Sequence, residues 1–222
     1  MSEPTAAIIV AAGRSERMAG ADKLWAPLAG RPLLAHTLAA FDGCDAIDHV
    51  VLVVASDNLE RGRILAAAFA KVRDVVAGGE ARQDSVGAGL DALEDVAWVA
   101  VHDGARPLVT PALIERGLEA ARGTGAACCA TPVPDTVKET DDGIAIARTL
   151  DRARLRLAQT PQVFRYDLLA EAHRRAEGVA TDDAALVEAL GVEVRLFEGS
   201  PRNLKVTTQD DLAIAEALLK TP

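Results

Sequence analysis

Short apolar runs rich in small and β-branched residues recur along the chain, at 7–10, 49–55, 72–76, 98–102 and 126–131. Between them, apolar residues return every three or four positions over 32–41, 58–70, 84–93 and 111–122. The first pattern predicts strands buried on both faces and the second predicts amphipathic helices. Strands that read as continuous apolar runs and alternate with helices imply a mostly parallel sheet covered on both sides. Right-handed crossovers then give a doubly wound α/β fold, which binds ligands beyond the carboxyl ends of its strands.

The alternation breaks after Pro132. "DTVKETDDGIAIAR", residues 135–148, consists of two polar-alternating runs joined by Asp-Asp-Gly, with Gly143 available for a positive-φ turn. A hairpin with so many polar positions has no place in a parallel core and is expected to project as an arm over 133–158. A two-stranded ribbon is marginal alone and gains stability by packing on something, often a second copy of itself. Helical spacing resumes at 166–177, 182–190 and 209–219, with a strand-like run at 193–197.

Composition narrows the picture. A chain of 222 residues, half of them hydrophobic, is long enough for one full core, or for one core with a small appendage. The 24 basic and 33 acidic residues leave a net charge of −9, which argues against a nucleic-acid surface but not against a local phosphate pocket. No apolar run reaches about 18 residues, so no membrane span is expected. There is no basic-then-apolar leader at the N-terminus, and Cys44, Cys128 and Cys129 show no CxxC spacing. Buried thiols in a reducing cytoplasm are the expected reading.

The loop after the first strand, "VAAGRSERMAGADKLWAPL", lacks both the G-x-G-x-x-G spacing of a dinucleotide site and the G-K-[ST] of a P-loop. What remains is a small-residue corner, Ala11-Ala12-Gly13, whose backbone N–H groups can approach an anion, followed by Arg17 and Lys23. A backbone cradle with two cations suits a triphosphate attacked at its α-phosphorus. Read alone, the same cations are solvated loop charges. "GGEARQDSV" offers backbone at Gly79 and the side chains Glu80 and Ser85, with Asp84 or Ser85 as a helix cap. "VHDGARPLV" puts Asp103 past a buried strand, with Arg106 able to face the same crevice and His102 packed in the core. "TLDRARLRLAQTPQVF" carries Arg152 and Thr160, and "NLKVTTQDDL" carries Lys205 in a short strand, with Thr208 capping the last helix.

Together "VAAGRSERM", "VHDGARP", "PVPDTVK", "TPQVF", "TDDA" and "NLKVTT" resemble, in order and nearly end to end, the 2-C-methyl-D-erythritol 4-phosphate cytidylyltransferases of the non-mevalonate isoprenoid pathway. The resemblance implies a single nucleotidyltransferase-type α/β domain over 1–222, a homodimer formed through the β-arm, magnesium, CTP and release of pyrophosphate. It implies that Ala11, Ala12 and Gly13 form the CTP phosphate loop, and that Arg17 and Lys23 stabilise transition-state charge. Gly79, Glu80 and Ser85 match base- and ribose-side contacts, and Asp103 matches the acidic residue at the metal and substrate centre. Arg106, Thr136, Arg152, Thr160 and Lys205 match the methylerythritol phosphate side, with Arg152 and Lys205 positioning the attacking phosphate and Thr136 and Arg152 supplied by the neighbouring subunit. The segment "ADKLW" departs from the family's usual Pro-Lys-Gln-aromatic. Two rival readings share the nucleotide half: a cytidylyltransferase for another polyol phosphate such as ribitol 5-phosphate, and a nucleotide-binding module without turnover.

Overall fold

The computed structural model describes residues 3–13 and 23–221. In chain order its elements are β1 (Thr5–Ala11), β2 (Pro27–Leu28), β3 (Arg31–Pro32), α1 (Leu33–Asp42), β4 (His49–Val54), α2 (Leu59–Ala66), β5 (Val72–Ala77), α3 (Arg82–Asp91), β6 (Trp98–Asp103), α4 (Pro111–Ala121) and β7 (Ala126–Pro132). There follow β8 (Lys138–Glu139), β9 (Arg148–Thr149), β10 (Arg156–Arg165), α5 (Tyr166–Arg175), α6 (Asp183–Ala189), β11 (Arg195–Glu198) and α7 (Gln209–Leu219).

Seven strands form one sheet in the order β11-β7-β10-β6-β1-β4-β5. β1 pairs in parallel with β4 and β6, β4 with β5, and β7 with β11. β10 runs antiparallel to both β6 and β7 and so joins two parallel groups. β4, "HVVLVV", is buried along its whole length, because helices cover both faces of the sheet. On one face Ala7, Ile9 and Leu52 pack with Leu34, Leu38 and Phe41 of α1 and Ile114 of α4. On the other, Ile8, Val51 and Val101 pack with Val86 and Leu90 of α3, Leu169 of α5 and Val187 of α6. Local chemistry sets the helix starts. Thr110 accepts the Leu113 N–H ahead of Pro111 in α4, and Thr208 accepts the Asp211 N–H of α7 as expected.

Two sequence expectations change. The pattern did not mark 156–165 as a strand, yet β10 is ten residues long and sits between β6 and β7. Its register against β7 shifts between Ala158 and Gln162, and Pro161, preceded by a cis peptide bond, lies in that irregularity. Pro is tolerated inside a sheet at such a bulge, and its presence masks the strand in the sequence. Conversely, Lys205 is not in a strand. Its segment passes beside the loop after β6, where the Val206 N–H donates to the Ala105 carbonyl at 2.8 Å, and it pairs with no strand among the described residues. The predicted hairpin is present as β8 and β9, paired antiparallel, with Gly143 at φ +75° in the connecting turn. The Asp142 carboxylate accepts the Ile144 and Ala145 N–H groups and closes that turn.

Candidate active site

β1 lies between β4 and β6, and the chain winds outward from it first to one side of the sheet (β4, β5) and then to the other (β6). The sheet therefore reverses its winding there and opens a crevice at the carboxyl ends of β1 and β6. Val10 stands beside Asp103 in the register, and the Gly104 N–H donates to the Val10 carbonyl at 2.8 Å. Ala12 and Gly13 carry the chain out over this corner. The exit of β5 crosses it so closely that a Cβ on Gly78 would stand 2.4 Å from the Ala12 Cβ and 2.5 Å from the Ser85 Oγ. Only glycine fits there. The Asp84 carboxylate then accepts the Ala81 N–H at 2.9 Å and starts α3, while Ser85, buried, donates to the Ala81 carbonyl.

Two adjoining cavities occupy the crevice. One, of about 160 Å³, is bounded by Ala11, Ala12, Gly13, Lys23, Gly79, Glu80 and Ser85. The other, of about 240 Å³, is bounded by Arg106, Gln159, Thr160, Gln162, Thr181 and Asp182. Arg82, Asp103 and Lys205 line both. A wider groove of about 1120 Å³ lies at the opposite end of the sheet, near Thr5 and Trp98, but two of its acids are already engaged. Glu3 accepts from the Trp98 indole and Asp48 from the Thr5 N–H.

Asp103 is the electrostatic centre. Its Oδ1 meets Arg82 Nε at 3.1 Å, and its Oδ2 meets Lys205 Nζ at 2.9 Å and Arg106 Nε at 3.7 Å. Burial alone raises this carboxyl, but the Arg82, Lys205 and Arg106 charges outweigh it and hold it well below the usual carboxylate range. Arg82 also reaches the buried Asp183, with Nη1 at 2.7 Å from Oδ2. Burial opposes its charge as well, and Asp183 and Asp103 together raise it further above its already high value. Arg82, Arg106 and Lys205 thus meet at Asp103, with Asp183 behind Arg82, while Lys23, Glu80 and Asp182 add further charges of both signs along the cavity walls.

Behind Asp103, burial drives His102 down to about 3, so its imidazole is neutral at physiological pH. Nε2 faces the Arg106 carbonyl at 3.3 Å and must therefore carry the proton, which leaves Nδ1 as acceptor. Thr160 Oγ1, 3.1 Å from Nδ1, then donates to the ring and accepts the Asp103 N–H at 3.0 Å. Thr160 is held from the other side, where Asn203 Nδ2 donates to its carbonyl at 2.8 Å. His102 is thus a packed support, as its sequence context suggested.

The crevice brings together Ala11, Ala12, Gly13, Lys23, Gly79, Glu80, Ser85, Asp103, Arg106, Thr160 and Lys205. Arg17 lies outside the described residues. Thr136 and Arg152 sit on the exposed arm and line neither cavity. Sequence reasoning missed Arg82 and Asp183, which stand 101 residues apart. Both lie inside quoted motifs, "GGEARQDSV" and "TDDA", but nothing in a linear motif pairs them.

Comparison with known proteins bears on this arrangement. The family model of 2-C-methyl-D-erythritol 4-phosphate cytidylyltransferase matches residues 5–221. The chain belongs to this cytidylyltransferase family. The enzyme is therefore a nucleotidyltransferase of the non-mevalonate isoprenoid pathway. The cytidylyltransferase of Dehalococcoides mccartyi (strain ATCC BAA-2266 / KCTC 15142 / 195) is 50% identical over 99% of this chain and 98% of its own length. A bifunctional IspD/IspF enzyme of Desulforudis audaxviator is 51% identical over 97% of this chain, which spans 56% of that protein. Among solved structures, the Thermus thermophilus cytidylyltransferase superposes with a TM-score of 0.82 at 38% identity, covering 99% of this chain and 100% of that one. The synthase from Anaerococcus prevotii gives 0.88 at 31% identity, covering 98% and 96%.

Proposed function

We propose that the crevice at the carboxyl ends of β1 and β6 performs the cytidylyltransferase reaction, with CTP in the cavity beside Gly13 and 2-C-methyl-D-erythritol 4-phosphate in the cavity beside Thr160. A phosphate oxygen of the acceptor attacks the α-phosphorus of CTP. A new P–O bond forms, the bond to the β-phosphate oxygen breaks, and pyrophosphate leaves with the electron pair. The products are 4-diphosphocytidyl-2-C-methyl-D-erythritol and pyrophosphate. The observation that carries this reading is that both cavities share Arg82, Asp103 and Lys205, so two ligands would meet at one cationic wall. A phosphate dianion is already a nucleophile at neutral pH, and neither a general base nor a covalent intermediate is required; orientation and charge neutralisation supply the catalysis.

In this reading the backbone of Ala11, Ala12 and Gly13 cradles the triphosphate, while Arg17 and Lys23 offset the charge that grows on it. Gly79, Glu80 and Ser85 face the ribose and cytosine, and Arg106 and Thr160 face the acceptor. Lys205 is 41% exposed and tied to Asp103 at a single oxygen, so its ammonium is able to follow the attacking phosphate. Magnesium fits this donor set. Among the described residues no three His, Cys, Asp or Glu side chains converge to cage a metal, and Asp103 and Glu80 are the carboxylates on the nucleotide side. Magnesium is commonly held by one or two carboxylates and completed by substrate phosphates, where it would neutralise phosphate charge.

Thr136 and Arg152 belong to the arm, and we read them as reaching the crevice of a second copy in a homodimer. Support comes from the arm itself, which exposes Ile144 to 91% and Ile146 to 63%, two apolar side chains that a partner would cover.

The test is pyrophosphate release from CTP with each candidate acceptor. Methylerythritol phosphate is expected to turn over and ribitol 5-phosphate is not; the reverse result overturns the acceptor assignment. Lys205→Ala should lower kcat by removing a charge-assisted contact of about 1.5–3 kcal/mol, with CTP binding intact. Loss of CTP affinity with acceptor affinity retained would contradict the role given to Lys205. Heterodimers of Arg17→Ala and Arg152→Ala subunits should regain one working site, and absence of rescue above either parent would refute site sharing.

A further inference from the structure

Asp103 is held asymmetrically, and the asymmetry has a built cause. Its Oδ2 faces Lys205, a flexible point charge, whereas its Oδ1 faces the planar fork of Arg82. That fork is not free to turn. Arg82 is the first residue of α3, and its Nη1 is taken by Asp183 Oδ2 at 2.7 Å. Asp183 is the first residue of α6, its side chain 1% exposed, and its Oδ1 meets His173 Nε2 of α5 at 3.1 Å. Its neighbour Asp182 accepts the Ala185 N–H and starts α6, while Asp182 Oδ2 takes the Gln162 amide of β10 at 2.8 Å. The "TDDA" segment therefore acts as an anchor plate: Asp182 fastens it to the sheet and Asp183 fastens Arg82 to it. The fork takes this pose although Nη2 is buried with no hydrogen-bond partner among the described residues. Its position follows the two carboxylates and not its own full satisfaction.

From this geometry we infer that Arg82 and Asp183 form a positioning couple for the cytidylyl transfer, in which Asp183 keeps the Arg82 guanidinium on Asp103 Oδ1 while Lys205 is released to the substrate phosphate. The inference rests on the reading of the crevice as the active site. An unanchored arginine beside a triphosphate would leave Asp103 for the stronger anion, and the Asp103 carboxylate would then rotate. The anchor prevents both movements, because a guanidinium that bridges two buried carboxylates must break two charge-assisted contacts to leave. A lysine at the same position carries the charge but reaches only one carboxylate.

The couple is tested with Arg82→Lys, Asp183→Asn and the double variant, each measured for kcat, for KM of both substrates and for thermal midpoint without ligand. Each single variant is expected to lose about tenfold or more in kcat, with KM for CTP within about threefold of the parent. The double variant should be no slower than the slower single, as for two residues acting as one unit. Unchanged kcat in Arg82→Lys, multiplicative losses in the double variant, or losses that match the unfolded fraction would each overturn the couple. Should Asp183→Asn fail to fold, Arg82→Lys decides alone, since it keeps the charge on a side chain at the crevice wall. Lys205→Ala run in parallel separates the two levels. If Lys205→Ala is fully active the site reading fails, whereas an impaired Lys205→Ala beside a normal Arg82→Lys removes only the couple.

Discussion

Individual residues of this enzyme are tuned by where the chain buries them. Asp103 stays ionised because three cations outweigh its burial, and His102 is neutral because nothing outweighs its own. The same logic applies to the thiols. Burial pushes Cys128 up to about 12 and Cys129 to about 11, from an ordinary 9.0. Both thiols are therefore protonated in the native state at pH 8 and should be inert to a thiol reagent until the protein unfolds. The sign for stability follows. A raised folded value favours the protonated form, so the thiols' contribution is complete below about pH 9 and is lost as pH rises through 11–12. Over that window each thiol should lower unfolding free energy by about 1.4 kcal/mol per pH unit. Urea titrations from pH 8 to 10.5 check this, and a Cys128→Ala, Cys129→Ala variant should show a flatter alkaline slope. An equal slope in both proteins would disprove it.

At the scale of elements, the site depends on how closely loops can pass. β5 hands over to α3 across the corner made by Ala12, at a separation only glycine allows. Gly78→Ala should push the Ala12 and Ser85 walls apart, and CTP affinity measured calorimetrically should fall by about tenfold while the fold survives. Unaltered CTP affinity would show that this corner carries no part of the nucleotide. β1, β4, β5, β6, β7 and α7 were legible in the sequence because apolar periodicity and caps are local signals. β10 was not. "RLAQTPQVF" contains a proline in what became the sheet interior, and a proline there is compatible with a strand only when a bulge absorbs it. The register shift lies in the pairing with β7, a partner that no window on β10 contains. Lys205 shows the converse: its segment is strand-like in sequence, but among the described residues it pairs with no strand and is tied to the β6 loop through the Val206 N–H.

At the scale of the molecule, a chain of net charge −9 gathers Arg82, Arg106 and Lys205 at one crevice and exposes Ile144 and Ile146 on its arm. β8 and β9 pair over only two residues each, too little to be stable alone. If the arm is completed by a second copy, Ile144→Asp with Ile146→Asp should shift the protein toward monomer in analytical ultracentrifugation and lower kcat, leaving CTP binding by each chain in place. A dimer of unchanged stability would remove the arm from the interface. The sequence by itself determined the doubly wound class, the hairpin and the family, because each rests on local composition or on motifs kept in order. Only the tertiary structure decided that Asp103 is gripped from one side by Arg82 and from the other by Lys205, and that Asp183 stands behind the grip. Those partners come from four separate elements and loops, and charge pairing in a buried crevice depends on distance in space, to which spacing along the chain is blind.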